Sequence, residues 1–153
     1  MRTGVRIAVD VGSVRVGVAR SDATGSLAVP VVTLTRDKGD VAAIVDLVAE
    51  YEALEVIVGL PVTLNNELGP AAQHALAYAR VLAGSVHPIP VVMVDERLTT
   101  AAAQRGLHDA GRTTRTSRAV IDQAAAVQLL QDALDAEQRS GRPPGRPVGE
   151  VSE

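Results

Sequence analysis

Val5-Arg6-Ile7-Ala8-Val9-Asp10-Val11-Gly12-Ser13-Val14-Arg15-Val16-Gly17-Val18-Ala19 is the stretch that decides the fold. Val5, Ile7 and Val9 alternate with Arg6, Ala8 and Asp10, the period-two pattern of a half-buried strand. Gly12 and Gly17 bracket the next four residues, where a sharp reversal calls for backbone angles that glycine adopts at little steric cost. A second Val-rich run follows, so the stretch reads as an antiparallel hairpin with a carboxylate, Asp10, at the end of its first strand. A carboxylate placed there can hold a divalent cation or face a phosphate.

Outward from the hairpin, Leu27 to Thr35 reads as a third strand, with Pro30 assigning its first half to a sheet edge or a bulge. Asp37-Lys38-Gly39-Asp40 is a loop with a capping Asp, and Val41, Ile44, Val45 and Val48 give helical spacing up to Tyr51. Leu54 to Leu60 is a continuous apolar run bounded by Gly59-Leu60-Pro61, which fits a buried central strand. Pro70 opens a helix to about Leu82, and Pro90 to Val94 is a second buried strand. Helices are expected over about 99–110 and 117–137. Residues 138–153 hold three Pro, three Gly and three Arg and read as a disordered tail. Three strands in a meander, then two strand–helix crossovers, imply an α/β domain over residues 1–137. Its sheet would be mixed and five-stranded, three antiparallel strands then two parallel, flanked by helices.

Composition narrows the chemistry. The 153 residues contain no Cys, which excludes disulfides, thiolate zinc sites and cysteine nucleophiles, and three His whose spacing argues against a histidine metal cluster. No apolar run reaches membrane-spanning length and no signal-like segment follows Met1, so a cytoplasmic protein is expected. Net charge is −3, and with no Phe or Trp and only two Tyr there is almost nothing on which to stack bases. Any contact with nucleic acid would run through phosphates, backbone amides and metal.

Three acids are candidates for that chemistry. Asp10 ends the first strand. Asp95 and Glu96 follow the last buried strand and point to opposite faces, so at most one joins Asp10. Asp122 lies in the early turns of the final helix, one turn before the small residues Ala125 and Ala126. Singly, each has an ordinary structural reading as turn former, strand end or helix-dipole partner. Together they offer hard oxygen ligands without His or Cys, which suits Mg²⁺ or Mn²⁺. Two such ions about 4 Å apart can activate water and stabilise the leaving oxygen of a phosphodiester. Arg97, Arg105, Arg112, Arg115 and Arg118 stand against the single acid Asp109, giving that stretch a charge of +4 for a phosphate backbone.

Four blocks of the chain resemble a known family. Val9-Asp10-Val11-Gly12 through Gly17-Val18-Ala19, Val58-Gly59-Leu60-Pro61, Asp95-Glu96-Arg97-Leu98-Thr99-Thr100 and Ile121-Asp122-Gln123-Ala124-Ala125 are similar, in order and spacing, to the signatures of the YqgF/RuvX family. The resemblance implies an RNase H-like fold. It implies either a nuclease that matures the 5′ end of pre-16S ribosomal RNA or a Holliday-junction resolvase acting on branched DNA. By the resemblance Asp10, Glu96 and Asp122 would be the catalytic metal ligands, with Asp95 in reserve. Arg97, Arg115, Arg118 and, more weakly, Arg15 would hold substrate phosphates. The chain departs from the family pattern at Thr63 and Asn66, and His74 and Leu76 stand where basic residues are frequent. A similar hairpin occurs in actin-like ATPases and sugar kinases, but those need two such domains. A non-catalytic ribosome-assembly or transcription module is the alternative from another class. The chain would work as a monomer or a homodimer.

Overall fold

The computed structural model describes residues 2–37, 39–61, 67–96 and 115–151, and side chains over 115–122 lie outside the description. In chain order the elements are β1 (Arg6–Val11), β2 (Arg15–Ser21), β3 (Ala28–Thr35), α1 (Asp40–Glu50), β4 (Glu55–Leu60), α2 (Pro70–Val86), β5 (Val91–Asp95), α3 (Arg115–Ser140) and β6 (Arg146–Pro147). A 3₁₀ turn follows over Val148–Glu150. The helix expected over 99–110 falls outside the described residues.

One sheet runs in the order β3-β2-β1-β4-β5-β6. β1 pairs antiparallel with β2 and parallel with β4, and β4 pairs parallel with β5. β3 is an edge strand, and its register on β2 shifts at Val18/Ala19, opposite the Pro30 region. A missing ladder donor is tolerated at such an edge or bulge.

Strand parity sorts the core into two layers. Ile7, Val9, Val16, Val18, Val56, Val58, Leu60, Val91 and Met93 face α1 and α2, where Ile44, Val48, Leu76 and Leu82 meet them. Ala8, Ala19, Ile57, Val92 and Val94 face α3, where Ala126, Leu129, Leu130, Ala133 and Leu134 pack. Fully buried alanines on both partners, Ala8 and Ala19 against Ala126, let the long helix lie close to the sheet. Leu76 is fully buried on α2, so its departure from a basic residue fills the core.

Three expectations are corrected. Among the described residues the sheet has six strands. β6 pairs antiparallel with β5 at Met93↔Arg146 and Val92↔Pro147, and Val148 and Val151 enter the α1–α2 core. The segment expected to be a disordered tail is therefore partly a strap along the sheet edge. Its apolar anchors are only two valines, too few to outweigh the Pro, Gly and Arg around them in a compositional reading. Gly12 is not in the left-handed region. A Cβ there would stand 2.7 Å from the Arg15 carbonyl oxygen, so close backbone approach is what demands glycine. Lastly, α1 is capped by Gly39 without a side-chain bond, while Asp37 accepts the Gly39 N–H at 2.7 Å in the loop before it.

Candidate active site

The site forms at the carboxyl ends of β1, β4 and β5, on the face covered by α3. Parity assigns that face. Ala8 belongs to the α3-side core, so Asp10, two residues on, points the same way. Ile57 and Gly59 do likewise on β4. Val92 and Val94 lead to Glu96 on that side, while Asp95 follows Met93 to the opposite face. Of the two acids at the end of β5, it is Glu96 that meets Asp10.

The meeting is direct, since the Glu96 and Asp10 carboxyl groups share a side-chain hydrogen bond. Burial pushes the half-buried Glu96 above the usual carboxylate range. The bond to Asp10 pulls it back, and the nearby Asp95 charge raises it further. Gly59 makes room for the pair. A Cβ at Gly59 would stand 2.5 Å from Glu96 Oε1 and 2.9 Å from its Cγ. β1 passes β4 at Val9↔Val58, so Asp10 comes alongside Gly59 one residue later, and on its other side it pairs with Gly17. Asp10 thus sits between two strands that present hydrogen in place of a side chain. Sequence reasoning used Gly59 as a strand boundary and as part of a family-like block, not as space for a neighbouring side chain. The available signal was a glycine inside an apolar strand, which marks a close approach.

α3 carries the third expected acid, Asp122. Its far end is fixed by Glu137, which bonds to Arg6 at the start of β1 at 2.9 Å. Asp122 is fifteen positions earlier, about 22 Å up the helix at 1.5 Å per residue. It lies one turn before the fully buried Ala126. Its side chain is outside the description. Among the described residues no three His, Asp or Glu side chains gather to hold a metal. The two carboxyl groups that do meet are hard oxygen donors over a cradle that a Cβ would fill, which fits Mg²⁺ or Mn²⁺ better than a softer metal.

Of the expected phosphate contacts, Arg15 opens β2, opposite Thr35, and its carbonyl oxygen accepts the Gly12 N–H at 2.9 Å. Arg115 and Arg118 are in the first turns of α3. Arg97, with Thr63 and Asn66, lies outside the described residues. No helix among the described residues is long and apolar enough to cross a membrane.

Residues 4–136 match the sequence model of a family described as "RuvX: Holliday junction resolvase". The chain belongs to the RuvX family. It is 53% identical to a protein of Thermobifida fusca over 97% of this chain and 98% of that one. It is 52% identical to a protein of Nocardioides over 99% and 100%. Both carry the name "Putative pre-16S rRNA nuclease". Among solved structures, RuvC of Thermus thermophilus in complex with a Holliday junction substrate superposes with a TM-score of 0.60 at 16% identity, covering 92% of this chain and 99% of that one. The RuvX chain therefore has an RNase H-like fold.

Proposed function

We propose that this RuvX chain is a divalent-metal-dependent nuclease of the cytoplasm that cleaves phosphodiester bonds in maturing the 5′ end of 16S ribosomal RNA. The observation that carries the reading is the carboxyl pair, Asp10 against Glu96 over Gly59, on the sheet face covered by α3. Asp10, Glu96 and Asp122 would hold Mg²⁺ or Mn²⁺, in one or two ions. When bound, such ions supply charge stabilisation to a phosphodiester and lower the pKa of water.

The chain's own residues do the remaining work. Burial raises the proton affinity of Glu96, and holding a cation calls for its ionised form. Gly59 keeps Glu96 beside Asp10 by leaving its carboxyl group space. Arg15, Arg97, Arg115 and Arg118 bind substrate phosphates and set its register without reading its bases.

Cleavage of an extended 16S precursor and of a four-way DNA junction tests the reading. Each would be assayed with Mg²⁺ or Mn²⁺, with chelator, and with Asp10→Asn protein. Metal-dependent cutting of the RNA alone, lost in Asp10→Asn, is the expected result. Paired symmetric nicks in the junction would favour the resolvase instead, a second reading supported by the family description and requiring a two-fold dimer. Binding of either nucleic acid without cutting would replace both with a non-catalytic assembly factor.

A further inference from the structure

The turn that follows Asp10 is held from the far side of the sheet. Arg36 leaves β3 and reaches this turn twice. Its backbone N–H donates to the Val14 carbonyl at 2.8 Å, and its Nη1 donates to the Gly12 carbonyl at 3.1 Å. The same guanidinium lies over the Tyr78 ring, 4.9 Å from its centroid, has its Nε 3.9 Å from Asp40, and touches the His74 ring. Asp40 is itself fixed, since the Tyr78 hydroxyl donates to its Oδ2 at 2.8 Å and both residues are buried. Burial and the Asp40 carboxylate hold the Tyr78 phenol protonated, well above its ordinary range, although Arg36 works the other way. Tyr78 therefore remains a donor at neutral pH.

This arrangement is a relay of rigid parts. α2 carries Tyr78, α1 carries Asp40, and both orient a planar cation whose remaining reach ends on Gly12. A fork of fixed donors loses less rotamer freedom per bond than a flexible ammonium would. Gly12 is two residues beyond Asp10, and its N–H closes the turn on Arg15 at 2.9 Å. We propose that Arg36, oriented by Asp40 and Tyr78, is a positioning residue that fixes the Gly12–Arg15 turn and through it the Asp10 carboxyl group. The α1–α2 layer, which has no part on the α3 side of the sheet, would thereby set the geometry of the site. The inference rests on Asp10 being a metal ligand.

Two readouts test it, the Mn²⁺ dissociation constant and hydrogen exchange of the Gly12 amide. Arg36→Gln should bind Mn²⁺ roughly tenfold more weakly, the low end of what loss of a residue supporting a metal ligand costs. Its Gly12 amide should exchange faster, and kcat should fall with KM held. Arg36→Lys should recover part of each loss. The double variant Arg36→Gln/Asp40→Asn leaves no unpaired carboxylate in the core and should show the same two effects if the single variant does not fold. Wild-type Mn²⁺ affinity in a folded Arg36→Gln or double variant overturns the proposal, whatever happens to its thermal stability. The metal reading fails separately, when wild type and Asp10→Asn bind Mn²⁺ alike. The clamp then stands on faster Gly12 exchange and falls on unchanged exchange.

Discussion

The α3 face of this sheet carries two carboxyl pairs built from the same chemistry and put to opposite use. At the end where β1 and β4 begin, Glu55 and Glu137 are met by arginines. Arg2 bonds to Glu55 at 2.8 Å and to Glu137 at 2.7 Å, and the fully buried Arg6 bonds to Glu137 at 2.9 Å. At the end where those strands finish, Glu96 bonds to another acid, Asp10. The proton affinities diverge accordingly. Burial works against the charged form of Glu137, but bonds and charge from Arg2, with Arg6, bring it below the usual range. Burial drives Glu96 above that range. The first pair is a finished ionic clasp joining the N-terminal segment, β1, β4 and α3. The second joins two half-buried acids, and carboxyl groups perturbed by burial and a like neighbour cluster at functional sites.

Substitutions should separate the two ends cleanly. Asp10→Asn is expected to lower cleavage by roughly 10³-fold, the scale of losing a group that acts in the transition state, with the fold intact. Glu137→Gln should do the reverse. It strands Arg6 in the core and should cost about 3 kcal/mol in urea unfolding, while the folded fraction cleaves at the normal rate. If Glu137→Gln lost activity in its folded fraction, or Asp10→Asn unfolded the chain, the division of labour would be wrong.

Gly59→Ala sharpens the contrast further. The added methyl would press on Glu96 from Cγ to Oε1, so the whole side chain must swing aside, and the overpacking should cost about 1 kcal/mol of stability. The Glu96 carboxyl group must move, and cleavage should fall about 10- to 100-fold, as when a support of a metal ligand is lost. A wild-type rate in Gly59→Ala would mean that Glu96 is not held where the chemistry occurs.

How much of this was legible follows from the range of each interaction. β1 and β2 were readable because strand alternation is local, and β4 because a buried parallel strand shows as one apolar run. Parity alone already separated Asp95 from Glu96, and the sheet then decided which face Asp10 shares. The strap at β6 was hidden because Val148 and Val151 gain their meaning only against a core formed elsewhere. The clasp was equally hidden. Arg6 reads as the polar side of a strand, and its partner Glu137 lies 131 positions away. Gly59 was visible as a glycine, but not as the floor under a residue that arrives a crossover later.

The smallest effect, and the one most specific to the comparison, is the opposite pH dependence of the two ends. A carboxyl group lowered on folding contributes stability above its unfolded value of 4.5, and that contribution is lost as pH falls through the folded value. Glu137→Gln should therefore abolish part of the acid loss of stability below about pH 4.5. A carboxyl group raised on folding has the reverse linkage. Its charged form costs stability above the folded value, and the cost disappears as pH falls toward the unfolded value of 4.5. In chelator, Glu96→Gln should thus be slightly more stable than wild type at pH 8, with the difference closing as the pH drops. Mn²⁺ should invert that order, because the metal requires the ionised form and stabilises only the state that binds it. Thermal melts of wild type, Glu96→Gln and Glu137→Gln across pH 4 to 8, with and without Mn²⁺, read both signs at once. Parallel curves for the two variants would mean that the carboxyl groups differ in location but not in kind.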